Sequence, residues 1–183
     1  IMLYEKQKHL VNIIESQIYE KEKNNNLLIG VLSQIVEFRN GESGRHVHNI
    51  QAMTSVILRH LVEMTDKYRL SESDILMIST ASALHDIGKI SIDEKILNKP
   101  GKLTDEEYEI MKTHTTIGAD MLKSLDISDK SSIIGIAYDI CRWHHERYDG
   151  KGYPDGLKGD EIPISAQVVA LADVYDALTS KRC

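Results

Sequence analysis

Cysteine is scarce in this sequence, with only Cys141 and Cys183 among 183 residues. Two thiols make no disulfide framework, which excludes the small disulfide-stapled class and points to a reducing compartment, the cytoplasm. Proline is nearly as rare, at positions 100, 154 and 163. No apolar run is long enough to cross a bilayer. No secretory signal is visible either, since charge enters at Glu5 and recurs. Basic residues are outnumbered, and the net charge of −6 excludes wrapping of long nucleic acid, whose affinity comes largely from neutralised phosphates. A small phosphate ester stays open if metal ions supply local positive charge. What remains, 42% apolar and 27% charged, is ordinary for one globular domain.

No alternating strand pattern, internal repeat or low-complexity tract stands out. Consecutive helices are expected over 45–66, where Val47, Ile50, Met53, Ile57, Leu61 and Met64 share a face, and over 72–85, 129–145 and 165–180. Thr104 with Glu107 reads as a capping box opening another. Residues 146–163, with Gly150, Gly152, Pro154, Gly156, Gly159 and Pro163, read as a loop. The expected fold class is therefore all-α. At the N-terminus, steps of seven give Tyr4, Val11, Ile18, Asn25 and Leu32, with Gln7, Ile14, Lys21, Leu28 and Ile35 as companions. Two readings stay open: a two-stranded coiled coil, which implies a homodimer, and a single helix packed on its own domain. Asn24-Asn25-Asn26 suggests a break, with a linker or signalling helix over 1–27 and the main domain over 28–183. With Ile1 in place of an initiator Met and a helical run leading to Cys183, the chain reads as a piece of a longer protein.

Eight histidines occur, at 9, 46, 48, 60, 85, 114, 144 and 145, and their company separates them. Glu42 and His46, four apart, share a face on a helix; taken alone, a solvated helix start accounts for them. In His85-Asp86-Ile87-Gly88-Lys89, adjacent helical side chains would diverge by about 100°. They converge only at a helix end, where Gly88 frees the backbone. The helix dipole explains His85 and Lys89 there but not an Asp, which favours a metal-holding Asp86 able to bridge two ions and a phosphate-binding Lys89. His114, on a partly apolar face after Tyr108 and Met111, reads by itself as a structural histidine. His144-His145, ending a helix before the glycine-rich loop, can serve two ions. Asp173, inside the apolar run 168–174, is costly to bury without a partner; a metal ion or a buried Arg or Lys would supply one. Asp176 is expected to be a partly exposed helix residue. Mixed imidazole and carboxylate donors without cysteine suit iron or manganese, with zinc an alternative. Their number exceeds the needs of one ion, and two ions are the usual device for attacking a phosphoryl centre.

The run His85-Asp86-Ile87-Gly88-Lys89 resembles the signature of HD-domain phosphohydrolases. His144-His145-Glu146-Arg147-Tyr148-Asp149-Gly150-Lys151-Gly152-Tyr153-Pro154 resembles the second signature of their HD-GYP subfamily, and Lys99-Pro100-Gly101, Ile162-Pro163 and the run 173–180 match its pattern. The resemblance covers roughly residues 28 to 183, and several separated motifs in order make it specific. It implies an HD-domain helical bundle that cleaves cyclic di-GMP to linear pGpG, and in some members on to GMP, with two or three divalent metals, often iron. Carried over by position, His46, His85, Asp86, His114, His144, His145 and Asp173 would be ligands, and Glu42 goes with a third metal in some members. Lys89 and Arg182 would contact substrate phosphate. Tyr153 and Pro154 belong to a loop of structural or substrate-facing role. Two departures stand out: Asn40 replaces the family's usual Asp, and the family continues beyond Arg182.

The mechanism expected is in-line attack by a metal-activated hydroxide, with Asp86 and Lys89 as the catalytic residues. Two alternatives stand beside it. One is the same chemistry on another cyclic dinucleotide, such as cyclic GMP-AMP. The other is a non-catalytic domain that binds a ligand or partner. An upstream sensor or receiver domain is the expected source of control.

Overall fold

The computed structural model describes residues 2–40, 45–125 and 132–180. Glu42 and Arg182 lie outside the described residues. The described residues form helices α1 (Met2–Arg39), α2 (Arg45–Met64), α3 (Glu72–Ala81), α4 (Glu94–Leu97), α5 (Asp105–Lys112), α6 (His114–Lys123), α7 (Ile133–Trp143) and α8 (Ile164–Thr179). Among them there is no strand, only an isolated bridge between Asp149 and Lys158, so the all-α expectation holds.

The helix starts follow local chemistry. Ser71 and Thr104 each close a capping box, with Asp74 and Glu107 respectively reaching back to the cap backbone. Ser132 caps α7 by accepting from the Gly135 amide at 3.2 Å. The bundle core joins α2, α3, α6, α7 and α8 through Ile50, Leu58, Ile75, Leu122, Ile140 and Val169. Each such fully buried aliphatic side chain contributes about 1.5–3 kcal/mol relative to an exposed one. On α2 the buried line runs through Val47, Ile50, Thr54 and Leu58. Met53, Ile57 and Leu61 flank it, while Met64, expected on the inner face, is 84% exposed. The apolar stripe drifts around the helix because its steps do not match the helical repeat over five turns.

Three boundaries differ from expectation in ways that build the site. The helix expected over 72–85 stops at Ala81 and tightens into 3₁₀ turns over Ser82–Leu84 and Ile87–Ser91, leaving His85 and Asp86 between them. The helix opened by Thr104 ends at Lys112, and a new one begins at His114. The Asn24–Asn26 run does not break α1, since asparagine in a helix costs only about 0.7 kcal/mol relative to alanine. What changes along α1 is burial. Residues 4–21 and 23–28 are exposed, whereas Ser33, Val36 and Glu37 are buried against the bundle. A helix packed along its whole length on its own domain is therefore ruled out.

α1 ends on the segment that carries Lys89. The Arg39 guanidinium donates to the carbonyls of Lys89 at 3.2 Å and Ile92 at 2.8 Å, and also to that of Ile90. The Asn98 side-chain amide donates to the Arg39 carbonyl at 2.9 Å. α1 is thus tied to the segment around the Ile87–Ser91 turn by hydrogen bonds to its backbone.

Candidate metal centre

Gly88 determines how the two halves of the centre meet. A Cβ there would stand 1.9 Å from the His114 carbonyl oxygen and 2.6 Å from the Gly118 amide nitrogen. Only a glycine lets the Ile87–Ser91 turn lie on the start of α6. That approach brings the Asp86 side chain to His114: Asp86 Oδ1 is 3.3 Å from His114 Nε2 and 3.9 Å from His144 Nε2. Its other oxygen, Oδ2, is 3.3 Å from His85 Nε2 and 2.7 Å from Lys89 Nζ.

The side chains gather into two groups, His46 with His85 and Asp86, and His114 with His144 and His145. In each, the candidate donor atoms lie within 4.8 Å of one another. Asp86 faces both. Ring centroids run from His46 to His85 at 5.5 Å, His85 to His144 at 5.3 Å, His144 to His114 at 5.5 Å and His114 to His145 at 5.2 Å. Asp173 joins through Oδ1, 3.7 Å from His46 Nε2. Residues up to 127 positions apart in the sequence, from His46 to Asp173, thus meet in one cluster. His9, His48 and His60 are exposed and stand apart.

The far nitrogen of four rings is already committed. Nδ1 of His85 donates to the Ser82 carbonyl at 2.9 Å, Nδ1 of His114 to that of Met111 at 2.7 Å, and Nδ1 of His144 to that of Ile140 at 2.9 Å. Each carbonyl lies three or four residues earlier in the chain. The acceptor for His46 Nδ1 is a carboxylate, Asp176 Oδ2, at 2.7 Å. With Nδ1 as the donor, Nε2 is the atom left to face Asp86 or Asp173, and it carries the lone pair wherever the ring is neutral. This is the arrangement by which proteins orient imidazoles for a metal.

Electrostatics agree with the geometry. Burial, reinforced by neighbouring imidazoles, drives His144 well down and brings His145 down to about 4, and burial lowers His114 too. These three rings are neutral donors at pH 7. Burial also opposes charge on Asp86, but Lys89 and His85 outweigh it and hold the carboxyl well below its ordinary range. At His85 burial is likewise outweighed, and the Asp86 charge raises it to about 9. His85 Nε2 and Asp86 Oδ1 remain buried without a hydrogen-bond partner, with Asp86 Oδ2 and His114 Nε2 respectively 3.3 Å away. Such atoms are costly unless something pairs with them. Neutral imidazoles, an anionic bridge and orphaned inward atoms fit divalent cations.

Asp176 corrects the sequence reading. It is buried, not partly exposed, because one turn after Asp173 it faces His46, accepts from the Asn49 amide at 2.7 Å and from the Ser180 hydroxyl at 3.0 Å, and stays ionised below the usual carboxyl range. The signal was the three-residue step from Asp173 on one helix. Asp176→Asn is expected to turn an amide donor toward His46, disfavour the Nε2 lone pair and weaken metal affinity by about 10- to 100-fold. Competition with a fluorescent chelator measures this, and unchanged affinity would refute the role.

Glu146 also went unassigned from sequence. Its buried carboxylate accepts from the amides of Asp155 at 2.7 Å and Gly156 at 2.9 Å, folding the 146–163 loop back on itself. Arg142 and Trp143 anchor the same Asp155 side chain. Gly152 sits where a Cβ would meet the Arg147 amide nitrogen at 2.4 Å. The folded loop lays Tyr153 on His145, ring centroids 4.8 Å apart and planes 28° apart. Pro154 follows through a cis peptide bond.

Residues 30–183 match the HD domain, and the chain belongs to that family, whose phosphohydrolases depend on metal. It is 41% identical over 167 residues to a probable cyclic di-GMP phosphodiesterase of Vibrio cholerae, covering 89% of this chain and 38% of the relative. It is 43% identical over 155 residues to a 3'3'-cGAMP-specific phosphodiesterase 2 of the same organism, covering 85% of this chain and 28% of the relative. Identity to a cyclic di-GMP phosphodiesterase of Thermotoga maritima is also 43% over 155 residues, covering 85% of this chain and 39% of the relative. The chain thus spans well under half the length of these relatives. No helix among the described residues is long and apolar enough to cross a membrane.

Proposed function

We propose that this chain is a metal-dependent phosphodiesterase domain of the HD-GYP kind that hydrolyses cyclic di-GMP to linear pGpG, with GMP the product of any second cut. One observation carries the reading: Asp86 faces two imidazole groups at once, with its Oδ1 and the His85 Nε2 buried without a hydrogen-bond partner. His46, His85, Asp86, His114, His144, His145 and Asp173 would hold two divalent ions, and Glu42 a third. Iron is favoured, with manganese or zinc as alternatives. Bound there, the ions supply positive charge against the phosphate and acidify a water nucleophile.

The chain's own groups do the rest. The Lys89 ammonium, 2.7 Å from Asp86, binds a non-bridging phosphate oxygen and donates a proton to the leaving 3′ oxygen. Tyr153 and Pro154 wall the substrate side, and Arg182 adds a phosphate contact. Asp86 orients Lys89 before substrate arrives.

A second substrate has specific support: identity to the cyclic GMP-AMP enzyme equals that to the Thermotoga cyclic di-GMP enzyme. Anaerobic loading with iron, manganese or zinc, followed by turnover of both cyclic dinucleotides and identification of products, tests both. Metal binding without hydrolysis of either would leave only the non-catalytic, ligand-binding reading.

The setting we infer is cytoplasmic, where the buried Cys141 thiol stays reduced, under control of an upstream sensor or receiver domain that acts through α1. The exposed seam of Val11, Ile14, Ile18, Leu28, Leu32 and Ile35 supports pairing with a second copy, and the buried Ser33, Val36 and Glu37 lie on another face. A single asparagine such as Asn25 on the seam is a known selector of register in two-stranded coils. A dimer is expected for the whole chain and a monomer after removal of residues 1–27, measured by light scattering. A monomer in both cases rejects the pairing.

A further inference from the structure

Next to the imidazole cluster lies an arm of side chains that the reaction above does not use. The Lys112 ammonium stands 5.6 Å from the Tyr153 ring centroid and 5.5 Å from that of Tyr108. Glu109 holds it at 2.7 Å. Lys112 is the last residue of α5, two before His114, so the break that presents His114 to the centre also fixes where Lys112 stands. From His145 the path runs through Tyr153, partly buried and stacked on the imidazole, to Lys112 and then to Tyr108, whose side is 48% exposed. A phosphate held at the imidazoles leaves the rest of its nucleotide to extend along this path.

We propose that Tyr108 and Lys112 form a nucleobase-recognition platform for the cyclic dinucleotide, Tyr108 stacking on a purine and Lys112 donating to the O6 and N7 acceptors of guanine. The inference rests on the phosphodiesterase reading. An exposed aromatic face beside a cation is the pairing used by sites that take unpaired bases, because every base has a π-face. The cation adds selectivity. Guanine presents two acceptors on that edge, whereas adenine presents an amino donor beside its N7, and an ammonium has no lone pair to accept from that amino group. Glu109 and the two rings restrict the lysine to one place, so little freedom is lost when the base arrives. A purely structural role for the arm would lower stability without distinguishing one base from another.

The test is steady-state kinetics of the metal-loaded chain, wild type against Tyr108→Ala, Tyr108→Phe and Lys112→Met. The substrates are cyclic di-GMP, cyclic di-AMP and bis(p-nitrophenyl) phosphate, an ester with no purine. KM for cyclic di-GMP is expected to rise by about tenfold or more in Tyr108→Ala and Lys112→Met, and to stay within about twofold in Tyr108→Phe, which keeps the ring. In both affected variants kcat/KM falls further for cyclic di-GMP than for the nitrophenyl ester, and Lys112→Met narrows the preference for cyclic di-GMP over cyclic di-AMP. Unmoved KM values in variants of an active wild type overturn the platform alone, as does an equal loss on all three substrates. A wild type that cleaves only the nitrophenyl ester overturns the cyclic-dinucleotide reading and this inference with it.

Discussion

Asp86→Ala is expected to abolish both metal loading and turnover, lowering kcat by roughly 10³-fold or more, the equivalent of about 4 kcal/mol of barrier. The Asp86 carboxylate faces both imidazole sets, through Oδ1 toward His114 and His144 and through Oδ2 toward His85. Its loss removes the anion that holds His85 up at about 9 and takes away the carboxylate shared by the two imidazole groups. Lys89 loses this ion pair at the same time. Asp86→Asn separates charge from shape, because the amide fills the same space without the anion. It is expected to lose metal nearly as fully. His60→Ala, a change at an exposed histidine outside the centre, is expected to leave both readouts unaltered. Elemental analysis after anaerobic reconstitution, paired with turnover of cyclic di-GMP, makes the comparison. Wild-type metal content in Asp86→Ala would remove the central claim about the site.

Gly88→Ala is expected to destabilise the fold by about 2–4 kcal/mol, the cost of forcing a methyl group into a filled space. For a domain of this size that lowers the melting temperature by roughly 5–15 °C. The clash is with backbone: the added Cβ would lie 1.9 Å from the His114 carbonyl and 2.6 Å from the Gly118 amide, and no rotamer change relieves it. Relief requires the Ile87–Ser91 turn to move off α6, which separates Asp86 from His114. Metal affinity therefore falls together with stability. Gly118→Ala is the contrast, since its Cβ would meet the Gly88 amide nitrogen at 3.1 Å and the Ile87 side chain at 3.2 Å, distances that a shift of a few tenths of an ångström accommodates. Thermal melts in the presence of a chelator isolate the packing effect. A Gly88→Ala protein as stable as Gly118→Ala would show that the turn and helix do not meet as closely as described.

Much of the centre was legible because its residues come with local signatures. His85-Asp86 before Gly88, and His144-His145 before a glycine-rich loop, combine chemistry with a backbone break, and periodicity does not disguise them. Asp173 was legible as an acid among apolar neighbours. His114 was not, from its own surroundings, because the helix break at Thr113 leaves no proline or glycine in the sequence; the C-cap there is helical in dihedral angle. Asp176 and Glu146 were missed for a common reason. Both act by accepting hydrogen bonds from groups brought close by folding, His46 and Asn49 in one case and the loop amides in the other. A carboxylate on a helix or in a loop reads the same in sequence whether it is solvated or inward-facing.

At the N-terminus the heptad steps were visible in sequence, but they suited two arrangements equally. Only the fold shows that residues 4–21 and 23–28 stand clear of the bundle, because burial depends on what lies opposite a helix face and not on the face itself.

The sequence by itself determined the helical class, the capping boxes, the glycine-rich loop and the donor chemistry, since these follow from period, turn residues and side-chain type over a few positions. Tertiary structure alone decided that His46, Asp86, His144 and Asp173 converge, which nitrogen of each ring faces inward, and that Asp86 lies between two groups. Those outcomes depend on close approach between segments distant in the chain, Gly88 against His114 above all, and contact at that range is written in packing and not in any local pattern.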